Sequence, residues 1–146
     1  MNLILTGVPG TGKSTLAKML GEKLSWEVVS ANDLIKKKKL WVKREKGVLV
    51  ADLKKLSREV NAQAKGKTNL ILEGHLLCDI KAKADLAVVL RANPKILRER
   101  LKKRGYPKEK IDENVLSEAL DYCTINAEEN YSKVYEIDTT GRIKAS

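Results

Sequence analysis

Apolar positions along the chain fall into two alternating patterns. Short, mostly apolar runs recur at Leu3 to Thr6, Trp26 to Ser30, Leu70 to Leu72, Leu86 to Leu90 and Val134 to Ile137, with the length and bulk of buried strands. Between them apolar residues return every three or four positions, the spacing of one helix face. Leu16, Met19, Leu20 and Leu24 predict a helix over about Lys13 to Leu24, and Leu53, Leu56, Val60 and Ala64 predict another over Ala51 to Lys65. Asn32 to Leu40 also reads as helix, with Gly47 as the break after it. Pro94 suits the first turn of a helix through Ile96, Leu97 and Leu101. Gly105-Tyr106-Pro107 stops that helix, and Lys108 to Tyr131 reads as one long helix. Five strands separated by helices predict an α/β fold, a parallel sheet covered on both faces. Ligands then bind beyond the carboxyl ends of the strands, where Gly7, Ser30, Glu73, Arg91 and Asp138 fall.

Composition narrows the class. A chain of 146 residues fits one domain with one core, and it has no internal repeat or low-complexity linker. No apolar run is long enough to span a membrane. The N-terminus goes straight into a strand, without the core of a signal peptide, so a cytoplasmic location is expected. Cys78 and Cys123 are too few and too far apart for a disulfide framework or a zinc site, and read as ordinary thiols. The net charge of +10 favours anionic partners such as nucleotides or RNA. Its densest part is Lys36 to Lys39, followed by Lys43, Arg44 and Lys46. Such a run is more often a solvated face than a binding site, and a charged fraction of 33% also suits a thermophile.

The chemistry begins at Gly7-Val-Pro-Gly10-Thr11-Gly12-Lys13-Ser14-Thr15. This is the Gly-x-x-x-x-Gly-Lys-Ser phosphate loop, set between a strand and a helix as the motif requires. Its backbone N–H groups form an anion nest, Lys13 reaches toward β- and γ-phosphates, and Ser14 can hold Mg²⁺. Phosphoryl transfer also needs a placed metal and positive charge around the transferred group. Glu73, closing an apolar strand, is the candidate for metal through water. His75, the only histidine, lies two residues on and is a candidate base or water-positioner. Arg100 and Arg104, four apart, share a helix face and can clamp phosphate or stack on adenine.

Together with Asn32-Asp33-Leu34 and Tyr135-Glu-Ile-Asp-Thr-Thr-Gly141, these motifs resemble the archaeal branch of the adenylate kinase isoenzyme 6 family, the coilin-interacting nuclear ATPase type. Similarity extends over nearly the whole chain. The resemblance implies a three-layer P-loop nucleoside monophosphate kinase fold, with a five-stranded parallel sheet, helices on both faces and a short lid. It implies a single domain over 1–146, a monophosphate-binding segment at about 30–53 and a lid at about 104–114. It implies transfer of the ATP γ-phosphate to AMP or a related monophosphate, with ATPase activity. It also implies maturation of small-subunit rRNA with ribosomal protein uS11 as partner. By residue it implies ATP binding by Gly10, Thr11, Gly12, Lys13, Ser14, Thr15, Arg100, Arg104 and Arg142. The catalytic residues would be Lys13, Glu73, His75 and Arg104, with Mg²⁺ at Ser14 and Glu73, and the acceptor would meet Asp33, Leu34 and Arg91. Three departures stand out: Glu73 where many relatives have Asp, a basic segment at Leu40 to Lys46 where relatives tend to be acidic, and an end at Ser146 where relatives continue into a helix. A ribosome-assembly switch with little kinase activity and a shikimate- or gluconate-type kinase are the alternatives.

Overall fold

Each core strand divides its side chains between two apolar layers, as period-two alternation demands. In the strand Asn2–Gly7 (β1), Leu3 and Leu5 face one side and Ile4 the other. The helix Lys13–Leu24 (α1) covers the first side through Ala17, Leu16 and Leu20, which meet Ile71, Val88 and Leu90. The second side is thicker. It collects Leu70, Leu72, Ala87 and Val89 from the sheet, together with residues of the helices Ala31–Lys38 (α2), Leu53–Ala64 (α3) and Tyr122–Asn130 (α6). The computed structural model describes residues 1–45 and 48–141, so Lys46, Gly47 and Arg142 lie outside the described residues.

The remaining strands are Glu27–Ser30 (β2), Trp41–Glu45 (β3), Val48–Ala51 (β4), Leu70–Glu73 (β5), Leu86–Arg91 (β6) and Val134–Asp138 (β7). Five of the seven form one parallel sheet in the order β2-β5-β1-β6-β7. The parallel sheet covered on both faces is thus present as the alternation predicted. Register aligns Leu5 and Ser30 with Glu73, Gly7 with Leu90, and Arg91 with Asp138. One edge of the sheet therefore carries the ends of all five strands.

Two regions differ from the sequence reading. Trp41–Glu45 and Val48–Ala51 pair as an antiparallel hairpin, β3 against β4, in a stretch for which the hydrophobic pattern indicated no strand. The expected helix Lys108 to Tyr131 is two helices, Lys108–Ala119 (α5) and α6. They are separated at Asp121, whose φ of 58° lies in the left-handed region, a conformation that Asp tolerates better than most residues. The helix Pro94–Lys103 (α4) precedes them. A third apolar cluster joins Leu97 and Leu101 of α4 and Ile111 of α5 to Val8, at the root of the phosphate loop.

Candidate active site

β1 runs straight into the phosphate loop. Gly12 is the N-cap of α1 with φ 97°, a conformation costly for any side chain bearing a Cβ. The first intrahelical bond is from Leu16 N to Gly12 O. Among the described residues no protein acceptor takes the N–H groups of Gly12, Lys13, Ser14 or Thr15, so these donors face outward at the positive end of a helix. Lys13 is buried, and its Nζ donates back to Val8 O at 3.2 Å. Burial holds its pKa down to about 8, with Glu73 pulling it partly back up and Arg104 pushing it further down. An ammonium stripped of water in this way gains most from a phosphate.

The loop is tied to the far end of the chain. Thr11 is buried and its hydroxyl donates to Val8 O at 2.7 Å. The Thr139 hydroxyl lies 2.6 Å from Thr11 O. Arg100 spans the same gap: Nη1 donates to Gly10 O at 3.3 Å, and Nη2 donates to the carbonyls of Thr139, Thr140 (3.3 Å) and Gly141 (3.4 Å). Its guanidinium edge is thus spent on backbone carbonyls, and it fastens the loop. Arg104 caps α4 through its N–H to Arg100 O and is exposed, with its charge close enough to act on Lys13.

Ser14 and Glu73 line one cavity of about 370 Å³ between α1 and β2. Glu73 is buried, and its carboxylate makes no hydrogen bond or ion pair among the described residues. No group of three His, Cys, Asp or Glu capable of holding a metal occurs among the described residues. One hydroxyl and one free carboxylate fit a hydrated Mg²⁺ that completes its shell with water and substrate phosphate, and fit poorly an ion needing an all-protein cage.

His75 opens a short 3₁₀ turn, His75–Asp79. At Gly74 a Cβ would approach the Ala31 Cβ to 2.7 Å, so only glycine lets α2 pass this close. The His75 carbonyl accepts from the buried Thr6 hydroxyl at 3.2 Å and from Cys78 Sγ at 3.2 Å, and Thr6 Oγ1 lies 3.5 Å from Cys123 Sγ. The two thiols are therefore local fasteners of the His75 turn. Burial first, then the charges of Lys13 and Lys110, lowers the His75 pKa to about 4, so the imidazole is neutral at neutral pH.

His75 stands where two spaces meet. One, of about 220 Å³, is shared with Gly7, Val8 and Pro9 of the loop. The other is a cleft of about 910 Å³ between α2, the hairpin and α5, reached by Asn32, Ile35, Lys36, Trp41, Arg44 and Lys110. The face of α2 turned to this cleft is 32-35-36. Leu34 lies in the core, and Asp33 gives its N–H to Ser30 Oγ as a helix cap. Arg91 is also occupied elsewhere: it pairs with Glu118 (3.0 Å), Asp121 (2.6 Å) and Glu136, and donates to Thr124 at 3.2 Å. Thr6 was missed by sequence reasoning; Trp41 and Arg44 fell inside the segment 30–53, Lys110 inside 104–114 and Thr139 inside the Tyr135 to Gly141 motif, but none was singled out as a site residue.

Residues 3–121 match the family described as AAA domain. A protein of Thermococcus kodakarensis named "Putative adenylate kinase" is 43% identical over 142 residues, covering 97% of this chain and 78% of that protein. A protein of the same name from Methanocaldococcus jannaschii is 38% identical over 144 residues, with coverage of 97% and 78%. Among solved structures, shikimate kinase from Bacteroides thetaiotaomicron superposes with a TM-score of 0.69 at 18% identity, covering 96% of this chain and 86% of that one. Deoxyadenosine kinase from M. mycoides with bound dATP gives 0.62 at 17% identity, covering 99% and 93%. At these identities both structures speak for the fold. Among the described residues no helix is long and apolar enough to cross a membrane.

Proposed function

The chain belongs to the AAA-domain family and, within it, to the P-loop kinases related to adenylate kinase; on that premise we propose that it moves the γ-phosphoryl group of ATP onto AMP or a related nucleoside monophosphate. The observation that carries this is the position of His75, on the wall between the phosphate loop and the cleft of about 910 Å³. A donor site and an acceptor site share that boundary. The segment 30–53 serves as the acceptor-binding unit and 104–114 as the lid.

Residue by residue, the free N–H groups from Gly12 to Thr15 and the Lys13 ammonium bind the donor phosphates, and Arg104 approaches them from the end of α4. Ser14 and Glu73 would hold Mg²⁺, which when bound neutralises charge on the β- and γ-phosphates. Neutral His75 presents a hydrogen bond to the attacking oxygen and carries no charge that would trap the acceptor in place. Lys13, desolvated, stabilises the charge that spreads over the transferred group. With no acceptor bound, water in the same position gives ATPase activity. Asn32, Trp41 and Lys110 replace Asp33, Leu34 and Arg91 as the acceptor contacts.

The Glu73-Gly74-His75 step further supports the isoenzyme 6 subtype. The net charge of +10 supports uS11-linked small-subunit rRNA as a biological setting. The test is coupled measurement of ADP formed from ATP with and without AMP. AMP-dependent ADP formation is expected; none, with turnover indifferent to Lys13→Ala, would overturn the assignment. Capture of uS11 at moderate salt with and without ATP tests the setting, and nucleotide-independent capture argues against a timed role.

A further inference from the structure

The acceptor cleft holds more positive charge than one phosphate needs. Its cations come from separate walls: Lys36 from α2, Arg44 from the hairpin and Lys110 from α5. Among the described residues no Asp or Glu lines it. Of the residues lining this cleft, His75 and Leu76 also line the space beside the donor loop, whereas Lys36 and Arg44 do not, so the cleft has one end at His75 and another at these two cations. The first end adjoins the donor loop, where the acceptor phosphate must lie to be phosphorylated. The second end has no task in that transfer.

The second end is built by a specific irregularity. Strict alternation along β3 would place Arg44 on the opposite face from Trp41. The register of the hairpin slips between Trp41 and Lys43, and a one-residue bulge re-aims the side chains beyond it. Arg44 therefore shares the cleft with Trp41, while Lys43 and Glu45 pair outside it at 3.7 Å. Lys38 likewise pairs with Glu59 at 3.9 Å. Lys36 and Arg44 make no ion pair among the described residues, so the hairpin neutralises its outward charge and keeps its inward charge free. Trp41, Ile35, Leu49 and Leu53 supply an aromatic and apolar wall for a base.

Resting on the phosphotransferase function above, we propose that the preferred acceptor is a nucleoside 5′-phosphate that carries a second phosphate on its 3′-oxygen, which docks on Lys36 and Arg44. Arg44 offers a planar fork suited to that group. Two sources share this chemistry: a free nucleoside 3′,5′-bisphosphate and the 5′-phosphorylated end of an oligonucleotide. An oxygen of the 5′-phosphate attacks the γ-phosphorus, and the bond to the β,γ-bridging oxygen breaks with its electron pair leaving on ADP. The product is the 5′-diphosphate, with its 3′-phosphate intact. The dianionic 5′-phosphate has no proton to hand on.

The experiment compares kcat/KM for acceptor-dependent ATP consumption with AMP, adenosine 3′,5′-bisphosphate and the dinucleotide pApA as acceptors, in the wild type and in the double variant K36Q/R44Q. A preference of about tenfold or more for a doubly phosphorylated acceptor is expected, collapsing toward unity in the double variant and partly kept in R44K. Preference for the bisphosphate alone identifies a free nucleotide; preference for pApA identifies a chain end. Equal or faster use of AMP, or equal loss with all acceptors in K36Q/R44Q, overturns the proposal. If no acceptor raises ATP consumption above the acceptor-free rate, the phosphotransferase function itself falls, and calorimetric binding decides the second site. Tighter binding of the bisphosphate than of AMP, lost in K36Q/R44Q, sustains the site, and equal binding removes it.

Discussion

The donor and acceptor halves of this site are built in opposite ways. Around the phosphate loop the frame that holds the free N–H donors is fastened: Thr11 to Val8, Arg100 to four carbonyls, Thr139 to Thr11 and Lys13 to Val8. The acceptor cleft is walled by exposed cations on α2 and a two-stranded hairpin that stands outside the main sheet. One half is preorganised for a fixed ligand, the triphosphate. The other leaves its charges to be ordered by whatever binds. Preorganisation is where phosphoryl-transfer catalysis resides, so damage to the donor half should cost rate, and damage to the acceptor half should shift preference.

The sharpest break of this contrast is Lys13→Met. Loss of the desolvated ammonium should lower kcat/KM for ADP formation by roughly 10² to 10³. The ligand-free protein should nonetheless melt higher, because the fold no longer has to bury a charge. A coupled assay and nucleotide-free thermal unfolding read the two effects, and a lower melting point would contradict the burial argument. Arg100→Ala comes next. It leaves the carbonyls of Gly10 and of Thr139 to Gly141 without their shared donor, and KM for ATP should rise about tenfold while KM for the acceptor holds. A parallel rise in both would mean that the two halves are not separately built.

Thr6→Val tests the hinge between them. Freed of the hydroxyl, the His75 carbonyl loses one anchor, and kcat should fall about fivefold at unchanged KM for ATP, with Thr6→Ser retaining activity. Unchanged kcat in Thr6→Val would show that Thr6 does not position His75. The smallest effect concerns pH. The folded-state pKa of Lys13, about 8, lies below its ordinary value of 10.5. Ligand-free folding is therefore burdened below pH 8 and relieved between 8 and 10.5. ATP needs the charged form, so it should bind about twofold more weakly at pH 8 than at pH 7, with proton uptake on binding. Calorimetry in two buffers of different ionisation enthalpy measures that uptake. Its absence would place the free Lys13 pKa well above 8.

The donor half was legible because its determinants are consecutive. Gly7 to Thr15 carry their conformation and chemistry in one stretch between a strand and a helix, and five apolar runs were enough to predict a parallel sheet, though not its strand order. The acceptor half was not legible, because its determinants are relations between distant segments. The hairpin strand Trp41–Glu45 has two apolar residues followed by three charged ones and shows no alternation, since its inward side faces a cleft in place of a core. Asp33 and Leu34 sit one helical step from the face that α2 turns to that cleft. The break at Asp121 has no Gly or Pro to mark it. Arg91 stands at a strand end like a ligand-binding residue, yet Glu118, Asp121 and Glu136, from 27 to 45 positions away, claim its guanidinium.

The clasp that Arg100 and Thr139 make on the phosphate loop also bears on how the molecule comes into being. Thr11 and its partner Thr139 are 128 positions apart, so the phosphate loop leaves the ribosome long before the segment that completes it. Closing so long a loop is slow relative to local structure. A growing chain should have its glycines in place long before it has a nucleotide site, and it stays indifferent to cellular ATP until β7 docks beside β6. From that moment nucleotide acts as a latch: by mass action it stabilises the state in which the phosphate loop and the segment after β7 are already joined.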